Sequence, residues 1–176
     1  MLNGAVFLDR DGTIIEDVNY LSDLRDIRIY DFAFDAIKIF NSLSLKVIVI
    51  TNQSGIGRGY FSSEFVETTH GYLKDKLQKR GAVIDDFFYC PHLPEDNCKC
   101  RKPETGMIKD AVDKYNIDLS KSFFIGDSPK DVEAGFNVKV FPIQVLTGYG
   151  KEKRNENAVY TLNLYSAALF VKNVLI

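Results

Sequence analysis

No apolar run in these 176 residues approaches the roughly 20 that a membrane-spanning helix needs. The first apolar stretch, residues 5–8, follows an uncharged Met-Leu-Asn-Gly and is too short for the core of a signal peptide. A soluble, cytoplasmic protein is therefore expected. Charge of one sign is missing as well: 22 Lys and Arg against 24 Asp and Glu leave a formal charge of −2 and a pI near 5.7. With no broad electropositive face, no nucleic-acid partner is expected. There is no internal repeat, no low-complexity tract and no Pro/Gly/Ser-rich linker to divide the chain, so one domain over 1–176 is expected. At 45% hydrophobic content it can bury one substantial core. Cysteine is scarce too. Cys90, Cys98 and Cys100 crowd into one segment with His92, and an odd number in a reducing compartment points to metal ligation over disulfides.

What the chain does contain is an alternation of buried-strand and helix patterns. Residues 5–8, 47–50 and 122–125 are apolar runs that each give way at once to polar or glycine-rich residues. Residues 87–90 and 138–145 read as further strands. Helical patterns fill 32–43, 62–80 and 105–115, with Ser62 and Ser63 as caps ahead of Glu64, and 164–174 reads as a closing helix. Strand and helix in alternation imply an α/β fold with a mostly parallel sheet flanked by helices. In such sheets ligands bind beyond the carboxyl ends of the strands, where the polar residues after each run would converge.

After the first run comes Asp9-Arg10-Asp11-Gly12-Thr13. Extended geometry points Asp9 and Asp11 the same way, and a glycine turn follows. Such a pair is either a solvated acidic turn or a reaction centre. After the second run, residues 51–59 (Thr-Asn-Gln-Ser-Gly-Ile-Gly-Arg-Gly) offer a hydroxyl, amides and a glycine-rich turn able to surround an anion. After the third, Gly126-Asp127-Ser128-Pro129-Lys130-Asp131 supplies two more carboxylates. Asp127 would otherwise cap a helix, and Asp131 would sit exposed in its first turn. Cys90, His92, Cys98 and Cys100 form a full tetrahedral donor set for a structural Zn²⁺, leaving no vacancy for catalysis. This loop would aim the next residues, Arg101 and Lys102, into the crevice. His70, in a helical pattern, is expected at the surface or half-buried with no role.

These motifs resemble those of the haloacid dehalogenase (HAD) superfamily, whose Rossmann-like sheet carries D-x-D-G-T after its first strand. The resemblance implies Asp9 as the nucleophile that takes a phosphoryl group and Asp11 as the general acid and base. It implies Thr51 and Lys102 as stabilisers of that group, and Mg²⁺ held by Asp9, Asp11 and Asp127. Two carboxylates with opposite protonation needs suit this chemistry, and their approach to an anionic phosphate requires a cation. Asp131 is expected either in a supporting place near the metal or exposed. Segments 14–31 and 85–101 are too short for a large cap domain.

The combination D-R-D-G-T, N-Q-S-G-I-G-R-G, C-P-H with C-x-C, and R-K-P-x-x-G-M resembles the D-glycero-D-manno-heptose 1,7-bisphosphate phosphatase family. It implies removal of the 7-phosphate in ADP- or GDP-heptose biosynthesis for lipopolysaccharide or another surface glycan. Substrate contacts are implied for Asp17, Asn19, Tyr20, Asn52, Gln53, Ser54 and Arg101, with glycine frequent in the family where Asn19 stands. The only partner expected is a small-molecule sugar phosphate, and the chain is expected to be monomeric. Histidinol-phosphate phosphatase, which shares the short C-P-H-L-P loop, is the alternative. A polynucleotide 3′-phosphatase, a phosphomutase and an inactive zinc-braced binding module are weaker fits.

Overall fold

A computed structural model describes residues 3–175. The first strand, β1 (Ala5–Leu8), is buried on both faces, which explains why it is uninterruptedly apolar. It pairs in parallel with β2 (Lys46–Asn52) on one side and β4 (Phe123–Gly126) on the other. β3 (Asp86–Cys90), β5 (Phe141–Val145) and β6 (Val159–Thr161) extend the sheet to the order β3-β2-β1-β4-β5-β6, all parallel. The chain builds outward from β1 through β2 and β3, then returns to its other side at β4. That reversal opens a crevice beyond the carboxyl ends of β1 and β4.

Alternate residues of the strands feed two cores. Val6, Leu8, Val47 and Val49 pack with α1 (Asp31–Ser42), α2 (Ser63–Gln78) and α5 (Leu164–Leu175). Phe7, Ile48 and Ile50 pack with α3 (Gly106–Tyr115) and α4 (Pro129–Asn137) on the opposite face. Each fully buried Phe, Leu or Ile stabilises the fold by about 1.5–3 kcal/mol. Ser62 caps α2 through Phe65 N–H, as the sequence leads one to expect.

The segments between β1 and α1 and between β3 and α3 carry short 3-10 turns and no further domain, so there is no large cap. Two elements go beyond the sequence reading. β6 is a three-residue edge strand with only partly buried residues, too short for a periodic signal. The helix α4 is short and holds Gly135, whose backbone packs against Pro142 and Phe124.

Candidate active site

Asp9 follows β1 directly, and its N–H donates to Ile125 O of β4, which ties the two strands at the crevice. Its carboxylate Oδ1 accepts from Lys102 Nζ at 2.5 Å. The same ammonium donates to Ile50 O at 2.8 Å and lies 2.7 Å from Asp131 Oδ1. Two hydrogen bonds and a second counter-charge, Asp131, thereby offset the cost of burying the Lys102 ammonium. Asp131 is 1% exposed, so of the two places expected for it the exposed first turn is excluded and the one beside the metal candidates remains. Its Oδ2 accepts from the Ser128 N–H and hydroxyl at 2.9 and 2.8 Å, a capping box at the start of α4 that turns Oδ1 inward to Lys102.

Asp127, at the end of β4, accepts from Tyr149 N–H at 2.7 Å. Gly12, at φ +77°, and Gly148, at φ +46°, press their backbones so close that a methyl on either would overlap the Asp127 carboxylate. Burial, then Asp9 and Asp131, push the Asp127 carboxyl up to about 9. Burial likewise raises Asp9, to about 7, with Asp131 and Asp11 adding to it and Lys102 opposing. Lys102 itself is raised: burial opposes its charge, but Asp131 and Asp9 prevail.

Oxygens of Asp9, Asp127 and Asp131 lie within 4.8 Å of one another. Three buried carboxyls share one ammonium, so ionising all of them would leave two uncompensated negative charges, and hard oxygen donors with that balance fit Mg²⁺. The Asp11 carboxylate, expected among the metal ligands, is not in this group. It is forked by Arg10, with Nε to Oδ2 and Nη2 to Oδ1 both at 3.1 Å, and accepts from Gln53 Nε2 at 3.0 Å.

The glycine-rich segment after β2 divides its side chains between crevice and framework. Thr51, Asn52, Gln53 and Ser54 all line the crevice. Gln53, however, spends its amide protons on Asp11 and on Thr51 Oγ1, 2.9 Å away. Asn52 clamps the Lys102 backbone, accepting from its N–H at 3.0 Å and donating to its carbonyl at 3.2 Å. Both were expected against substrate; in the structure their amides hold catalytic candidates in place.

Asp17, Asn19 and Tyr20 line the outer wall with Arg101, Lys130 and Lys153, bounding a cavity of about 640 Å³. Asn19 sits at φ +47°, in the left-handed region that favours glycine and that Asn tolerates better than most residues. Its N–H donates to Asp17 Oδ1 at 3.0 Å.

The cysteine loop leaves β3 at Cys90. His92 Nδ1 lies 3.4 Å from Cys90 Sγ and 3.2 Å from Cys100 Sγ, while Cys98 Sγ lies 3.5 Å from the other two sulfurs. Only the Cys90 and Cys100 sulfurs, at 2.9 Å, are much closer than the edges of about 3.5–3.8 Å that a Zn²⁺ tetrahedron implies. No disulfide links them, and four soft donors in this arrangement fit Zn²⁺. The loop is joined to its surroundings by Gln53 N–H to Cys90 O and Gly57 N–H to Pro91 O, at 2.8 and 3.2 Å. Arg101 Nη1 donates back to His92 O at 3.2 Å, so the loop orients its own arginine at the crevice wall.

Two residues escaped the sequence reading. Arg10 is 2% exposed beneath the crevice. His70 is buried rather than at the surface or half-buried, with Nε2 3.4 Å from Arg10 Nη1 and its ring stacked on Phe87. Burial, then Arg10, lower His70 to about 3. A cation between two motif carboxylates, two residues past the end of a fully buried strand, was the signal available for Arg10.

Comparisons place this architecture among known proteins. A HAD-hydrolase-like family model matches residues 99–169. A D-glycero-alpha-D-manno-heptose-1,7-bisphosphate 7-phosphatase of Photorhabdus laumondii is 35% identical over 176 residues, covering 96% of each chain. A D-glycero-beta-D-manno-heptose-1,7-bisphosphate 7-phosphatase of Helicobacter pylori is 43% identical over 139 residues, covering 78% of this chain and 80% of the relative. Among solved structures, a D,D-heptose 1,7-bisphosphate phosphatase of B. bronchiseptica complexed with magnesium and phosphate superposes with a TM-score of 0.89. It is 29% identical and covers 97% of this chain and 99% of its own.

Proposed function

We propose, from the premise that this chain belongs to the D-glycero-D-manno-heptose-1,7-bisphosphate 7-phosphatase family of HAD-like hydrolases, that it removes the 7-phosphate of that sugar bisphosphate and leaves the C1 phosphate in place. The observation that carries this reading is the buried pair of Asp9 and Lys102 at the switch point of the sheet. A carboxylate nucleophile beside a fixed ammonium is what attack on a phosphate anion requires.

In the first step an Asp9 oxygen bonds to phosphorus as the bond to the C7 oxygen breaks, and Asp11 gives its proton to that departing oxygen. In the second, Asp11 takes a proton from water, the resulting hydroxide attacks phosphorus, and Asp9 is freed with inorganic phosphate. Lys102 and Thr51 stabilise the transferring oxygens throughout. Asp9 and Asp127 would hold Mg²⁺, which supplies the positive charge that lets the two anions meet. Cys90, His92, Cys98 and Cys100 would hold Zn²⁺ as a brace for Arg101 and Lys102. Asp17, Asn19, Tyr20, Ser54 and Arg101 would meet the sugar, since all five line the outer crevice.

The absence of a large cap favours transfer to water over retention of the intermediate. We further read residues 1–176 as one catalytic domain, monomeric and cytoplasmic, serving nucleotide-heptose synthesis for lipopolysaccharide or another surface glycan. Among the described residues no helix is long and apolar enough to cross a membrane. The test is phosphate release with Mg²⁺ from both anomers of heptose 1,7-bisphosphate, histidinol phosphate and a 3′-phosphorylated oligonucleotide. One heptose anomer should have the highest kcat/KM, and Asp9→Asn should abolish turnover. Preference for either other substrate, or full activity of Asp9→Asn, overturns the reading.

A further inference from the structure

The reaction scheme gives Arg10 no part, yet among the described residues it is the largest by volume of the fully buried side chains. Burying such a charge costs several kcal/mol unless its donors are paired. They are paired in a directed way: Nε and Nη2 fork onto the two Asp11 oxygens, and Nη1 faces His70 Nε2 at 3.4 Å. A guanidinium only donates, so His70 is neutral with its proton on Nδ1. The imidazole is fixed in turn. Its face lies 4.5 Å from the Phe87 ring at an interplanar angle of 17°, and Tyr89 meets it from the side at 5.8 Å. A continuous set of contacts therefore runs from β3 through His70 and Arg10 to Asp11.

We propose that Arg10 and His70 are positioning residues that aim Asp11 at the leaving oxygen, His70 by fixing the guanidinium plane and Arg10 by fixing the carboxyl plane. This rests on the reading of Asp11 as general acid and base. Asp11 Oδ2 has two donors, Arg10 Nε and Gln53 Nε2, whereas Oδ1 has Arg10 Nη2 within hydrogen-bond range. Oδ2 thereby anchors the side chain through two donors, so Oδ1 can exchange a proton without loss of the carboxyl's orientation. A carboxyl free to rotate would lose that alignment, and with it much of the rate that general acid catalysis supplies.

The test compares kcat/KM for an alkyl phosphate, the heptose bisphosphate, with that for p-nitrophenyl phosphate, whose leaving oxygen departs without a proton. Asp11→Asn should lower the alkyl-to-aryl ratio by on the order of 10²-fold or more. Arg10→Met should approach that loss. His70→Phe, which keeps the stack on Phe87 but removes the acceptor, should lower the ratio by about tenfold, and His70→Gln, which restores an acceptor near the Nε2 position, should recover most of it. A purely structural role would depress both substrates alike and leave the ratio unchanged. A folded His70→Phe enzyme with the wild-type ratio, or failure of His70→Gln to restore it, overturns the inference while the Asp11→Asn result leaves the acid–base reading standing. An unchanged ratio in Asp11→Asn brings down both.

Discussion

Asp131 Oδ1 stands 2.7 Å from Lys102 Nζ, and neither side chain is more than 4% exposed. This contact gives the lysine a second counter-charge from the far side of the crevice, so it bridges the helix after β4 to the nucleophile after β1. Replacing Asp131 by Ala removes that counter-charge and the capping oxygen of Ser128 together. We expect kcat to fall by at least about tenfold and stability by about 3–5 kcal/mol, as when one partner of a buried pair is deleted. Steady-state kinetics and denaturant unfolding measure the two; wild-type values in both would deny Asp131 any part in holding Lys102.

The raised carboxyls of Asp127 and Asp9 tie metal binding to pH. A folded pKa above the unfolded value means that, without metal, their contribution to stability is greatest below about 4. It is lost as pH rises through about 7 for Asp9 and about 9 for Asp127. Mg²⁺ competes with those protons, so it binds more tightly as pH rises. At one fixed Mg²⁺ concentration the rise in Tm should be larger at pH 8.5 than at pH 6. A pH-independent shift would mean the ion does not displace protons from these groups.

His70 shifts the other way. Its pKa is lowered from 6.5 to about 3 by burial and by Arg10, so the unfolded chain binds a proton over that window which the folded one excludes. Stability should decline as pH falls from about 6.5 toward about 3, by a few kcal/mol in all. His70→Gln, which has nothing to titrate, should flatten the slope between pH 6.5 and 5. An identical slope in the variant would assign the acid sensitivity elsewhere.

Zinc removal should loosen the loop that carries Arg101 and Lys102. Chelation, with metal loss verified, is expected to lower Tm by at least about 5 °C and raise KM more than it lowers kcat. Each of Cys90→Ser and Cys98→Ser should reproduce the effect. Unchanged Tm in verified zinc-free protein would contradict the brace.

The sequence by itself determined the α/β class and most strands and helices, because uninterrupted apolar runs and amphipathic repeats are local signals. It also picked out Asp9, Asp127 and Lys102 for the crevice, since each follows a strand or the cysteine loop directly and a parallel sheet brings strand ends together. Only the tertiary structure decided how the charges pair. Asp131 and Arg10 carry charge, and charge in a sequence reads as surface; their burial depends on Lys102 and Asp11, one distant by sequence and the other an immediate neighbour whose side chain had to turn back. Gln53 and Asn52 looked free for substrate for the same reason. Hydrogen-bond partners across the crevice are fixed when β1, β2 and the cysteine loop meet, and no local pattern records which amide will face which backbone.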